Sequence, residues 1–174
     1  LHPDIEKIKN NFDRIFVCSA SWHRQKRLKE NVLLYKSVKK EKDALLVLGK
    51  NPDYIEEGNN IFYLGHLPHD ICLQIYSISD WFLHLAWLDH CPNVVVDAQA
   101  CDCKIICSST GGTSEIVKNG IVVNEEDWNF KPTKLYVPPK VKYDNIKNIS
   151  LENQHYNIND CSNLYHSVIK DVIR

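Results

Sequence analysis

Six short apolar runs alternate along this chain with segments of helical period, and that alternation limits the fold to an α/β sheet of parallel strands. The runs lie at 14–19, 44–49, 61–64, 81–85, from Lys104 onward, and at 121–123. Between the first two, residues 26–40 place Leu28, Val32, Tyr35 and Val38 on one helical face. Pro68 precedes a helix reaching about residue 77, Pro92 opens another, and a short one begins at Ser114. The spacing predicts a Rossmann-like parallel sheet with helices on both faces, its core spanning 14–123 of a single domain of 1–174. Residues 1–13 read as a polar lead-in with a helical turn from Asp4. Pro132, Pro138 and Pro139 make 124–148 an irregular segment, and Leu164, Val168 and Val172 predict a C-terminal helix over 149–174. In such sheets ligands bind at the carboxyl ends of the strands. The loops 19–26, 65–69, 86–93 and 109–114 all fall at that edge.

Composition excludes several functions. The 174 residues carry a net charge of −1, so no bulk attraction to nucleic acid or to a membrane surface is expected. No apolar run approaches the length needed to span a bilayer, and no secretory leader opens the chain. Seven cysteines, an odd number with several in apolar surroundings, favour reduced thiols in a cytoplasmic protein. Cys101, Cys103 and Cys107 lack a second pair at zinc-ligand spacing, so no metal site is expected. No glycine fingerprint for a dinucleotide follows the first strand, and no cofactor is expected. The chain has no methionine and begins at Leu1, so it reads as part of a longer protein.

The chemistry concentrates in Asp89 and Asp97, two carboxylates separated by seven residues with the Pro92 helix start between them. Pro92 suits the first helical position, where a missing N–H costs nothing. Asp97 then lies about one and a half turns inside the helix, and Asp89 on the loop feeding it. The free amides around Asn93 and Val94 form an anion site. Acceptors flanking an anion site suit a ligand with both hydroxyls and phosphate, such as a nucleotide-sugar. Downstream, Lys104-Ile-Ile-Cys-Ser-Ser-Thr-Gly-Gly-Thr-Ser-Glu-Ile-Val117 reads as a buried strand, a Gly-Gly loop and a new helix.

On these two stretches the chain resembles the retaining glycosyltransferases of family 4, which have the GT-B fold. Their donor domain carries two glutamates separated by seven residues, a small-residue helix, a strand and a Gly-Gly-x-x-Glu turn, in the order and spacing found here. Both acids are Asp in this chain. Asp102 stands where the family usually has Gly after the helix, and Lys104 where it has Pro. Asp tolerates a left-handed helix end better than most residues. The resemblance covers roughly 14–123.

The resemblance implies a nucleotide-sugar donor, retention of anomeric configuration, and no metal on the donor phosphates. It also implies one half of a GT-B enzyme, the acceptor being held by an N-terminal domain outside this sequence. Asp97 would take the ribose hydroxyls and Asp89 the donor sugar. Lys26 matches a family lysine on the diphosphate, with Arg24 or Arg27 beside it; Arg27 stands where that lysine is usually followed by Gly. Fixed cations there oppose the charge gathering on the leaving diphosphate. Gly65-His66-Leu67-Pro68 matches a loop beside the nucleobase, read mostly through backbone. Gly111 and Gly112 allow backbone to approach a ligand closely. Glu115 either contacts the donor or favours the helix dipole in a first turn. His84, on the fourth strand, reads as a core histidine. Two alternatives stand beside the transferase: a GT-B sugar-nucleotide epimerase, and a non-catalytic nucleotide-sugar-binding module. Base, sugar and acceptor are left open.

Overall fold

A computed structural model describes residues 2–125. The irregular segment expected from 124 and the helix expected over 149–174 fall, apart from Asn124 and Glu125, outside the described residues. In chain order the elements are α1 (Pro3–Asn11), β1 (Arg14–Ser19), a 3₁₀ turn (Arg24–Lys26), α2 (Leu28–Val38), β2 (Asp43–Leu48), β3 (Ile61–Gly65), α3 (His69–Ile78), β4 (Trp81–His84), α4 (Asn93–Ala100), β5 (Lys104–Ser108), α5 (Thr113–Ile116) and β6 (Gly120–Val123). Every strand pairing is parallel, and the order across the sheet is β3-β2-β1-β4-β5-β6.

The central strands are buried on both faces, as near-continuous apolar runs require. All six residues of β2 are buried, as are Ile15 to Ser19 of β1. Alternation then sorts the side chains into two cores. Phe16, Cys18, Leu45 and Val47 pack under Leu28, Val32 and Tyr35 of α2. Ile15, Val17, Leu46 and Leu48 pack on the opposite face with Ile5 of α1, Ile75 and Tyr76 of α3, and Val95 and Ala98 of α4. The expected layering of helices on both faces is therefore present.

Three local details differ from expectation. The lead-in is a nine-residue helix, because His2 accepts from the Asp4 amide, Pro3 opens the first turn, and Ile5, Ile8 and Phe12 share a face against the second core. Pro92 precedes the α4 helix as its cap, so the helix begins at Asn93. Helical structure at Lys26 is interrupted: Arg27 adopts a left-handed conformation with φ 55°, which separates the 3₁₀ turn from α2.

Candidate functional site

The sheet changes its direction of growth between β1 and β4. Strands β2 and β3 add to one side of this pair, and β5 and β6 to the other. The loops leaving the carboxyl ends of β1 and β4 therefore lead to helices on opposite faces, α2 on one and α4 on the other, the topological switch point at which open α/β sheets bind ligands.

Hydrogen bonds fix the two loops against each other. Gln25 and Trp87 bond reciprocally: the Trp87 amide donates to the Gln25 carbonyl at 2.9 Å, and Gln25 Nε2 donates to the Trp87 carbonyl at 3.0 Å. Asn31, buried at the start of α2, accepts from the Leu85 amide at 3.2 Å and donates to the Arg27 carbonyl at 2.9 Å. A buried amide satisfied in this way ties the first turn of α2 to the end of β4. The consequence is a direct ion pair between Lys26 Nζ, on the first loop, and Asp89 Oδ2, on the second. Sixty-three residues separate the two in sequence.

Asp89 has a second partner. Nε2 of His84, the last residue of β4 and only 4% exposed, lies 3.2 Å from the same Oδ2. The hydrogen bond from His84, reinforced by Lys26, holds the Asp89 carboxyl well below the usual carboxylate range. Burial depresses the His84 imidazole more than Asp89 raises it, which favours the neutral ring. This arrangement carries a pH signature. Both groups take up protons at higher pH when unfolded, so stability is complete above about pH 6.5 and falls as the histidine window is crossed downward. Melting midpoints between pH 7.5 and 4.5 should decline, and His84→Gln should shallow that decline. An equal slope in the variant would assign the acid sensitivity to other groups.

Asp97 stands on the other side of the site. Its Oδ2 lies 2.9 Å from Nε2 of His69, in the first turn of α3. The Asp97 side chain is 32% exposed and His69 69%. Asp97 is thus brought beside the loop carrying exposed His66. His69 was not singled out by the sequence; its place one residue after Pro68, in the first turn of a predicted helix at the binding edge, was the signal that could have found it. Asn93 and Val94 are the first two residues of α4, and their amides have no acceptor within the helix.

The remaining candidates divide. Arg24 begins the 3₁₀ turn and is exposed. Arg27 is not: its side chain is 0% exposed, and its guanidinium grips Glu125 through Nη1 at 2.7 Å and Nη2 at 3.1 Å. Nη1 also donates to the Leu85 carbonyl at 3.1 Å. The sequence expectation of Arg27 on a diphosphate is corrected by this burial, which commits the guanidinium to the protein interior. The glycine pair makes its close approach to protein backbone. A Cβ on Gly111 would lie 2.7 Å from the Asp89 carbonyl oxygen, and one on Gly112 2.0 Å from that of His90. With the Gly112 amide donating to the Asp89 carbonyl at 2.9 Å, the pair buttresses the Asp89 loop. Glu115 is exposed in the first turn of α5. Cys18, Cys103 and Cys107 are buried free thiols, and burial pushes the Cys107 thiol up to about 12. Among the described residues no group of three His, Cys, Asp or Glu is placed to hold a metal ion, and no helix is long and apolar enough to cross a membrane.

Several solved structures share this fold. Anabaena HepE, in complex with UDP and glucose, is 16% identical with a TM-score of 0.60, covering 71% of this chain and 39% of that one. Sucrose-phosphate synthase from Thermosynechococcus elongatus is 19% identical with a TM-score of 0.58, covering 71% and 36%. The trehalose-6-phosphate synthase OtsA is 16% identical with a TM-score of 0.60, covering 71% and 36%. The chain thus spans less than two-fifths of the length of these proteins. No curated protein matches the sequence. The family model described as glycosyl transferases group 1 matches residues 4–146, most of the chain, and the chain belongs to that family.

Proposed function

We propose that this chain is the donor-binding half of a retaining glycosyltransferase of the family 4 type. The observation that carries the reading is the Lys26–Asp89 pair, held across the switch point of the sheet with the α4 amides and Asp97 beyond it. In this reading Asp97 binds ribose hydroxyls and Asp89 a hydroxyl of the donor sugar. Lys26 and Arg24 hold the diphosphate, aided by the amides of Asn93 and Val94. Backbone around His66 lies against the base, and Glu115 and the Gly111–Gly112 turn close the sugar side. Arg27 has no part in it, because its charge is buried on Glu125.

The chemistry follows from this placement. As the bond from anomeric carbon to phosphate breaks, negative charge collects on the diphosphate, and an ammonium beside it stabilises it more in the transition state than in the ground state. Asp89 orients the sugar by accepting a hydrogen bond from it, without forming a covalent bond to it. The proposal needs no metal or cofactor, and it places the acceptor on a preceding domain, in the cytoplasm. UDP and UDP-glucose are the first ligands to try, since HepE structures hold them.

Melting the chain against UDP, GDP, ADP and dTDP, each free and joined to common sugars, tests the reading. Ligand at a hundred times its dissociation constant adds about 2.7 kcal/mol, or roughly 5–10 °C for a chain of this size. One base is expected to give that shift. No shift with any of them at millimolar concentration would overturn donor binding by this chain.

A further inference from the structure

We propose that His84 is a positioning residue for the donor sugar: its buried Nε2–H anchors Asp89 through Oδ2, which leaves Oδ1 as the oxygen that meets a sugar hydroxyl. The sugar contact rests on the donor-binding reading; the anchoring bond stands on the geometry alone.

Three observations carry the inference. Both Lys26 and His84 reach Asp89, and both contact Oδ2. A carboxylate has about four acceptor sites over its two oxygens, so concentrating both donors on one oxygen frees the other for a ligand. Second, the two donors differ in mobility. His84 is the last residue of a central strand, 4% exposed, whereas the Lys26 side chain is 25% exposed on a flexible four-carbon stem. A lysine proposed to grip a diphosphate is free to turn towards it when the donor arrives, and cannot then hold Asp89 in place. The rigid imidazole can. Third, Asp is one methylene shorter than Glu. A short carboxylate reaches less far and tolerates less rotation, so a fixed partner at its back has more effect on where Oδ1 points. The buried histidine is therefore satisfied as a core residue should be, and its satisfaction orients the acid.

The first test needs no ligand. Two-dimensional proton–nitrogen correlation of the imidazoles in the whole chain, with His84 assigned by His84→Gln, reads the tautomer at neutral pH. The expected result is a neutral ring protonated on Nε2, with that proton shifted upfield in Asp89→Asn. A ring protonated on Nδ1 alone would overturn the proposal, since a bare Nε2 has no proton to give a carboxylate.

The second test titrates UDP and UDP-glucose calorimetrically. Relative to wild type, His84→Leu should weaken UDP-glucose about tenfold and leave UDP within about twofold, the pattern of a lost bond that orients the sugar contact. His84→Gln, which retains an N–H at a similar reach, should recover most of the loss. In an Asp89→Asn background, His84→Leu should add nothing further. Equal losses for both ligands, or additive losses in the double variant, would mean that His84 acts only through folding. Failure of the wild-type chain to bind either ligand would remove the sugar contact together with the donor reading, and the tautomer would still decide the His84–Asp89 bond.

Discussion

Glu125→Ala is expected to destabilise the chain by about 3–5 kcal/mol, the usual cost of removing one partner from a buried ion pair. For a chain of this length that is a fall of roughly 10 °C or more in melting midpoint. The carboxylate and the guanidinium of Arg27 are 3% and 0% exposed, so water cannot take over the lost contact. Arg27 also occupies a left-handed backbone position, which costs a residue other than glycine about 1 kcal/mol and depends on its surroundings to persist. Replacing both partners, as in Arg27→Met with Glu125→Leu, should restore most of the loss, because two apolar side chains leave no buried charge. Some deficit should persist, since the Leu85 carbonyl loses a donor. Calorimetric melting of Glu125→Ala, Arg27→Met and the double variant makes the comparison. The same variants separate Arg27 from the site: Arg27→Met should leave the salt dependence of nucleotide binding unchanged. A reduced salt dependence would return its guanidinium to the diphosphate.

That pair also marks how far the sequence could be read. The strands were legible because central parallel strands are apolar throughout, and 14–19, 44–49 and 81–85 are nearly that. The loops at the binding edge followed from the alternation of parallel strands and helices alone. Arg27 misled for a physical reason: a basic residue beside Lys26, at a helix start, has the appearance of an anion ligand. The better clue was its place where the family usually has glycine. Asp102 occupies a second such place and is likewise left-handed, with φ 64°. In both cases the missing glycine identified the backbone conformation. The freedom of the glycine pair is legible in the sequence, and the structure adds a second need for it, the carbonyl of His90, 2.0 Å from a Cβ on Gly112. Pairings across long sequence separations, Lys26 to Asp89 and His69 to Asp97, are set by the strand order and have no local signature. His84 was legible as a core histidine, and only the fold shows that its Nε2 meets the acid five residues on.

Lys26→Ala should have the largest effect on binding, about a hundredfold for nucleoside diphosphate and nucleotide-sugar alike. It removes a charge-assisted contact worth about 1.5–3 kcal/mol, and it also leaves the Asp89 carboxylate unneutralised beside the phosphates. Asp97→Asn should weaken both ligands about tenfold, because ribose is common to both, and should do so with little change in salt dependence. Asp89→Asn should weaken only the nucleotide-sugar, about tenfold; for the bare diphosphate it should be neutral or slightly favourable, since Lys26 is released from its intramolecular partner. The double variant Lys26→Ala with Asp89→Asn decides between charge and contact. If repulsion from an uncompensated Asp89 is part of the Lys26→Ala loss, the double variant binds the bare diphosphate more tightly than Lys26→Ala does, while remaining defective for the nucleotide-sugar. Titration calorimetry at two salt concentrations, with the nucleotide chosen by melting, gives every affinity needed. Simple additivity for the bare diphosphate would mean that the ion pair is not maintained in solution, and an equal loss of both ligands in Asp89→Asn would move that carboxylate from the sugar to the nucleotide.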